Sequence, residues 1–376
     1  MNTALKHWKE AATLILAAGH RLGADSLPCR TPQVSGNTGS LPRGSLFDYH
    51  VLMLKRSSKS GFMPNAYVFP GGVVDPSDFS SDWLDIFKPF TGSPSFGLRG
   101  VKQPAESRPP LFATDRVKLG SPVPGEVALR ICALRETFEE SGVLLVVSKR
   151  EEKRFKGLED GCDVCSGELT KWRDLVNQNP SNFIRMCREL EILPNIWALH
   201  EWSNWLTPEA RYGTKRFDTA FFMCCVQETP RTLQDEKEIV RFQWSTPSEI
   251  LQSYREQQLW IAPPQFYELS RMCRFSSLND LQNFSYQRAT EGCQRWLPVI
   301  LPEDEHHVSL LPGDKHYPAD SSGLTQMETC QDDSGLHRIV LSDPYTATLQ
   351  ITIKPKYNHL LPVVEPAESQ NSKSHL

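Results

Sequence analysis

The chain has no apolar run approaching the ~18 residues a helix needs to cross a bilayer, so no stretch reads as a membrane span. It lacks a strong positive charge. A formal net charge of −4 over 376 residues argues against a general nucleic-acid binder, while leaving local basic pockets for phosphate open. It has no internal repeat, which excludes solenoids and propellers. It also lacks a complete zinc ligand set: Cys162-Asp163-Val164-Cys165 has the spacing, but no second such pair and no histidine pair supplies four ligands. The other cysteines are scattered, and Cys132, Cys224 and Cys225 fall in apolar patterns, as small core residues of a reducing compartment do. Lys6-His7-Trp8-Lys9 before an apolar run imitates a short signal peptide, but Glu10 interrupts it and the run makes a plausible first strand.

What is present is the composition of a soluble globular protein, in one large or two ordinary domains. Apolar patterning predicts strands at residues 11–19, 49–56, 66–69, 143–147, 217–226 and 236–244. It predicts helices at 125–141, 168–192 and 265–297, with a short one near Trp83. Ser245-Thr246-Pro247-Ser248-Glu249 reads as a cap opening another helix. Strand–helix–strand alternation implies an α/β fold with a mixed sheet between helices. Residues 20–46 and 76–124 are rich in Pro, Gly and Ser and read as long loops, and 299–376 as a C-terminal extension with a hairpin at 338–354.

The most informative segment is residues 135–145, R-E-T-F-E-E-S-G-V-L-L. At about 100° per residue, Val127, Ile131, Leu134 and Phe138 make one apolar stripe, with Glu136 and Glu140 opposite it and Glu139 to the side. Like charges at i,i+4 repel by a few tenths of a kcal/mol, so the bare helix gains nothing from them. Two readings compete: a solvated acidic face, or carboxylates gathered to hold a divalent cation such as Mg²⁺. Upstream, Phe69-Pro70-Gly71-Gly72-Val73 follows the apolar Ala66-Tyr67-Val68 and reads as a strand ending in a glycine turn.

Strand, glycine turn and R-E-x-x-E-E-x-G helix together resemble the Nudix box, G-x5-E-x7-R-E-U-x-E-E-x-G-U, where U is aliphatic. On that pattern Gly72 is the first glycine, and Arg135, Glu136, Glu139, Glu140, Gly142 and Val143 fill the second half. Asp78 stands at the first glutamate position and Thr137 at an aliphatic one. Between Asp78 and Arg135 lie 56 residues where the pattern has seven, an insertion of about 49.

The resemblance implies a Nudix α/β/α sandwich at residues 8–298, interrupted at about 80–124. It implies hydrolysis of a diphosphate joined to a nucleoside, with Glu136 and Glu140 holding Mg²⁺ or Mn²⁺ and Glu139 as third ligand or base. Arg135 would orient the glutamates, and Gly71 and Gly72 would let the backbone approach substrate. Glu236 or Glu238 is the candidate for a further carboxylate from a later loop. Leu52-Met53-Leu54-Lys55-Arg56-Ser57 before Phe69-Pro70-Gly71-Gly72 resembles the family's coenzyme A signature in spacing, with Gly61 and Asn65 departing from it. Arg56 and Ser57 would then hold the coenzyme A 3′-phosphate.

Trp197-Ala198-Leu199-His200, Trp205-Leu206-Thr207-Pro208, residues 216–222 and Pro263-Pro264-Gln265-Phe266-Tyr267 are similar to the family's peroxisomal coenzyme A diphosphatases. That branch cleaves coenzyme A or its esters to 3′,5′-ADP and (acyl-)4′-phosphopantetheine. The ending Ser374-His375-Leu376 is a variant of the S-K-L address read by the peroxisomal import receptor. Trp202 and Trp205 are candidates to stack on adenine, against the commoner reading of such tryptophans as core or pocket wall, and Arg211, Lys215 and Arg216 to meet phosphate, against the commoner solvated face. The competing readings are an NADH, nucleotide-sugar or RNA-cap diphosphatase, and a catalytically silent Nudix-fold binding module.

Overall fold

The computed structural model describes residues 8–20, 42–92, 96–148, 166–208, 215–233, 239–302, 307–318 and 335–363. Glu236, Glu238, Arg211, the Cys162/Cys165 pair, most of 20–46 and the Ser374-His375-Leu376 ending lie outside them.

In chain order the strands are β1 (Lys9–Gly19), β2 (Tyr49–Arg56), β3 (Ala66–Val68), β4 (Gly71–Val73), β5 (Val146–Ser148), β6 (Ile192–Pro194), β7 (His200–Leu206) and β8 (Phe217–Val226). They continue with β9 (Ile239–Ser245), β10 (Trp260–Ile261), β11 (Arg295–Trp296), β12 (Val299–Pro302), β13 (His307–Leu310), β14 (His337–Asp343) and β15 (Thr346–Ile351). The helices are α1 (Asp82–Ile86), α2 (Pro110–Ala113), α3 (Gly125–Ser141), α4 (Ser166–Gln178), α5 (Asn182–Glu189), α6 (Pro247–Arg255), α7 (Pro263–Met272) and α8 (Leu278–Arg288).

A nine-stranded mixed sheet runs β10-β3-β2-β1-β8-β7-β11, with β4 added to β1 and β9 to β2. β1 is parallel to β8 and antiparallel to β2. Its central strands are buried on both faces, and their side chains alternate between two cores as a two-residue period requires. Leu14, Leu16, Leu52, Leu54, Phe222 and Cys224 enter the core shared with α3 and α5. Ile15, Ala17, Val51, Met53, Phe221, Met223 and Cys225 enter the core shared with α6, α7 and α8. This is the expected α/β/α sandwich. The Thr246–Glu249 capping box opens α6 as read, with the Glu249 carboxylate accepting from Thr246 N at 3.0 Å.

Several expectations need correction. The apolar stretch 143–147 joins no main-sheet strand: Gly142, at φ 72°, turns the chain, and only Val146–Ser148 pairs, with β6 in a separate two-stranded sheet. Residues 265–297 are two helices and a strand, because Ser277 caps a new helix and Trp296 pairs alongside Trp205 of β7. The hairpin near the C-terminus exists, as β14–β15, within a four-stranded antiparallel sheet that buries Leu311, Ile339 and Leu349 in the core beneath α7.

The insertion is not an open loop. Trp83, Ile86, Phe87, Phe96, Leu111 and Phe112 are all buried in the α3 core. Polar bonds fasten it too: the Gln103 amide donates to Cys293 O at 3.0 Å and accepts from Cys293 N at 3.1 Å, and Arg108 pairs with Glu201 at 2.8 Å. The sequence hid this because apolar residues spaced by turns show no period.

Trp83 is 1% exposed, contacts Phe87 and Phe183, and donates its indole N–H to Ser77 O. Trp83→Ala is therefore expected to cost about 3–5 kcal/mol in urea unfolding. A loss under ~0.5 kcal/mol, usual for a surface position, would mean the insertion is not part of the core.

Candidate functional site

The glycine turn and α3 meet at the floor of one cleft of about 590 Å³, lined at this end by Gly71, Gly72, Arg135, Glu136, Glu139 and Glu140. β4 pairs with β1 through Ala12–Gly72 and Thr13–Gly71, which sets the turn against the helix. A side chain at Gly71 would meet backbone, and one at Gly72 would have to push the Glu136 carboxylate aside. A Cβ on Gly71, whose φ is +153°, would lie 2.4 Å from Ala12 O, and one on Gly72 would lie 2.5 Å from the Glu136 carboxyl carbon. The Gly71 N–H donates to Glu140 Oε2 at 2.9 Å, which explains why Glu140 is only 5% exposed although it lies opposite the apolar stripe. The acidic side of α3 thus faces the glycine turn and cleft, not open solvent. Both sides of the helix are buried.

Arg135 organises the carboxylates. Its Nε and Nη2 donate to the two oxygens of Asp78 at 2.8 and 2.9 Å, a bidentate pair between residues that are each 1% exposed. Its Nη1 donates to Glu136 Oε1 at 2.9 Å and Glu139 Oε1 at 2.8 Å, and Nη2 also reaches Val73 O. Burial opposes the Arg135 charge, but the Asp78 hydrogen bonds and charge hold its pKa well above the ordinary guanidinium value. Asp78 is itself fixed by the Asp75–Asp78 capping box, accepting from Asp75 N at 2.9 Å. It stands behind Arg135 as a positioning residue. Beside the ion pair the Cys132 thiol is pushed well up, first by burial and then by Asp78, and stays neutral.

Burial raises the Glu139 carboxyl to about 7, against the opposing pull of Arg135 and with help from the neighbouring Glu136. Arg173 of α4 donates to Glu139 O at 2.9 Å, placing a cation at the C-terminal end of α3. Three carboxylates on one turn, one of them kept protonated to near neutrality chiefly by burial, are the hard oxygen donors that suit a divalent cation. Among the described residues no three acidic, His or Cys side chains are gathered around one point as a ready ligand shell. Arg135 Nη1 stands between Glu136 and Glu139 instead. The donor chemistry fits such an ion; the shell is not preassembled.

Of the remaining expected site residues, Arg56 lines the cleft. Its Nε and Nη2 hold Ser60 Oγ at 3.1 and 2.8 Å, and Nε holds Phe62 O. Ser57 is not among the lining residues, and its hydroxyl accepts from Lys59 N in its own turn. Trp202 and Trp205 are buried, and both indole N–H groups donate to Glu268, at 2.7 and 2.8 Å. That carboxylate also accepts from Ser203 and Arg271, so Trp202 is a core residue, and Trp205 reaches the cleft only as wall. Asp75, Arg173 and the walls from Phe62, Phe69 and Phe217 escaped sequence reasoning. For Asp75 the D-P-S-D capping pattern was a usable signal.

The model of the NUDT19 Nudix domain matches residues 8–272, and that of the NUDT19 C-terminal domain matches 300–352. The chain is 49% identical over 385 residues, 99% of its length and all of the relative's, to the acyl-coenzyme A diphosphatase NUDT19 of Xenopus laevis. It is 42% identical to the human protein of that name, over 98% of this chain and 97% of that one. A crystal structure of a Nudix hydrolase from Alicyclobacillus acidocaldarius superposes with a TM-score of 0.50 at 20% identity, covering 74% of this chain and 97% of that one, a likeness of fold.

Asp78→Asn would leave the Arg135 charge buried beside a neutral amide. Expected is a loss of about 3 kcal/mol in stability with reduced turnover, while Asp78→Glu, which keeps the pair, retains most of both. Equal stability of the Asp78→Asn variant and the wild type in denaturant would contradict the positioning role.

Proposed function

The chain belongs to the NUDT19 Nudix hydrolases, and we propose that it hydrolyses the diphosphate of coenzyme A and acyl-coenzyme A. The products would be 3′,5′-ADP and (acyl-)4′-phosphopantetheine. Nudix hydrolases act with divalent metal ions, and for this chain Mg²⁺ or Mn²⁺ suits an all-carboxylate donor set. The observation carrying the reading is the Arg135-centred group of Glu136, Glu139 and Glu140 at the floor of a cleft large enough for an extended nucleotide conjugate.

Glu136 and Glu140 would hold the cation. When bound, it would neutralise diphosphate oxygens and activate water. The chain's own groups do the rest. A base with a pKa of about 7 is half ionised near neutrality, where proton acceptance from attacking water is most effective, so Glu139 takes that proton. Arg135 holds Glu139 toward the cleft, the Gly71 N–H fixes Glu140, and the missing side chain of Gly72 leaves the Glu136 carboxylate its place. Arg56, which lines the cleft, would meet the 3′-phosphate through Nη1, free of partners among the described residues. Glu236 and Glu238 are retained as candidates for an added carboxylate.

We also propose that the protein is imported into peroxisomes through Ser374-His375-Leu376, read by the import receptor. No helix among the described residues is long and apolar enough to cross a membrane.

A substrate panel of coenzyme A, a long-chain ester, NADH, a nucleotide sugar and capped RNA, with Mg²⁺ or Mn²⁺ and product mass as readout, should release 3′,5′-ADP from the first two. Cleavage of NADH but not coenzyme A would overturn the assignment, and no cleavage at all would favour a silent binding module. In cells, deleting the last three residues should change punctate peroxisomal fluorescence to diffuse; unchanged puncta would refute import by that tail.

A further inference from the structure

Part of the cleft lining comes from two parts of the chain outside the Nudix box. Ile300, Ser309 and Leu341 line it from β12, β13 and β14, and Pro263, Pro264 and Gln265 from the first turn of α7. The C-terminal sheet is therefore part of the substrate cleft as well as a support for α7.

Gln265 is out of keeping with its surroundings. Its side chain is 8% exposed, yet the carboxamide oxygen has no hydrogen-bond partner among the described residues. Buried polar groups are almost always paired, and an unpaired one costs free energy. A local partner was available in principle. Gln265 is the third residue of its helix, from which a side chain can turn back to the capping residue's N–H. Glu249 does so in α6 and Asp78 does so toward Asp75, but no side-chain cap closes α7. Pro263 and Pro264 also have no N–H to offer, so this helix end is a poor anion site. What remains in this part of the wall is one carboxamide beside prolines, aliphatic side chains and a serine, while the cationic residues lining the cleft, Arg56 and Arg135, come from β2 and α3.

We propose that this wall is the subsite for the acylated pantetheine arm, that Gln265 pairs with one of the arm's secondary amides, and that β12 to β14 limit which acyl groups fit. The inference rests on the coenzyme A reading above and adds the location of the arm. A carboxamide offers one acceptor and one donor side, the complement of a secondary amide. The arm joins two such amides by apolar carbon, which suits proline, isoleucine and leucine. An adenine edge also presents a donor beside an acceptor, but it brings a phosphorylated ribose, for which Pro263, Pro264, Gln265, Ile300, Ser309 and Leu341 carry no charge.

The test uses the full-length protein with its cation, and wild-type cleavage of coenzyme A is measured alongside, so failure of the proposed function is seen separately. Gln265→Leu should raise KM for coenzyme A about tenfold and the inhibition constant of 4′-phosphopantetheine by a similar factor, leaving that of 3′,5′-ADP in place. Leu341→Trp, which fills the wall, should raise the KM of a long-chain ester relative to that of free coenzyme A at least fivefold. A rise in the 3′,5′-ADP constant instead, or no change in either product constant, overturns the Gln265 assignment. An unchanged KM ratio in the Leu341 variant overturns the role of the C-terminal sheet.

Discussion

One guanidinium governs the site. Arg135 is almost completely buried and uses every edge of its planar fork, two donors on Asp78 and one shared by Glu136 and Glu139. A buried Arg can remain charged only with such partners, because the desolvation cost of an isolated ion far exceeds what a single surface pair returns. The pairing also has direction. Asp78 sits behind, fixed by its own capping box, and pulls the fork into place, so the two glutamates in front are held on the cleft side of the helix. Without it, three carboxylates on one turn would repel and disperse.

The glycine turn is the second half of this constraint. Gly72 lies so close that its missing side chain is the space Glu136 occupies, and the Gly71 N–H ties down Glu140. The pairing of β4 with β1 brings that turn to the helix from across the insertion. This is why about 49 extra residues between the halves of the motif do no harm. The insertion leaves and re-enters the core beside α3, burying Trp83 and Phe87 on the way and fastening Arg108 to Glu201. Sequence distance is large, spatial distance is not.

Much of the central fold was legible. Strands with long apolar runs, such as Phe217–Val226 with its Ala220 to Val226 stretch, and the periodic helix Gly125–Ser141 have the same bounds in sequence and structure. The Arg135, Glu136, Glu139 and Glu140 cluster was legible because its spacing on a helix is fixed. What failed had a different cause in each case. The stacking alternative for Trp202 and Trp205 gives way to the commoner reading as core and cleft wall, because Glu268, more than sixty residues away, accepts from both indoles. Val143–Val147 read as a core strand because hydrophobicity does not reveal that the left-handed Gly142 turns it off the main sheet. The cleft wall was illegible altogether, since Leu341 and Gln265 are brought together only by docking of the C-terminal sheet.

Arg135 offsets only part of the charge on the gathered carboxylates, and burial, with the neighbouring Glu136, lifts Glu139 to about 7, a set that a divalent cation would complete. The most direct measurement is a Mn²⁺ titration followed by electron paramagnetic resonance, with 3′,5′-ADP present, comparing wild type with Glu140→Gln. The account predicts saturable uptake by the wild type and affinity at least about tenfold weaker in the variant. Absence of uptake by the wild type, or equal affinity in both proteins, would contradict it.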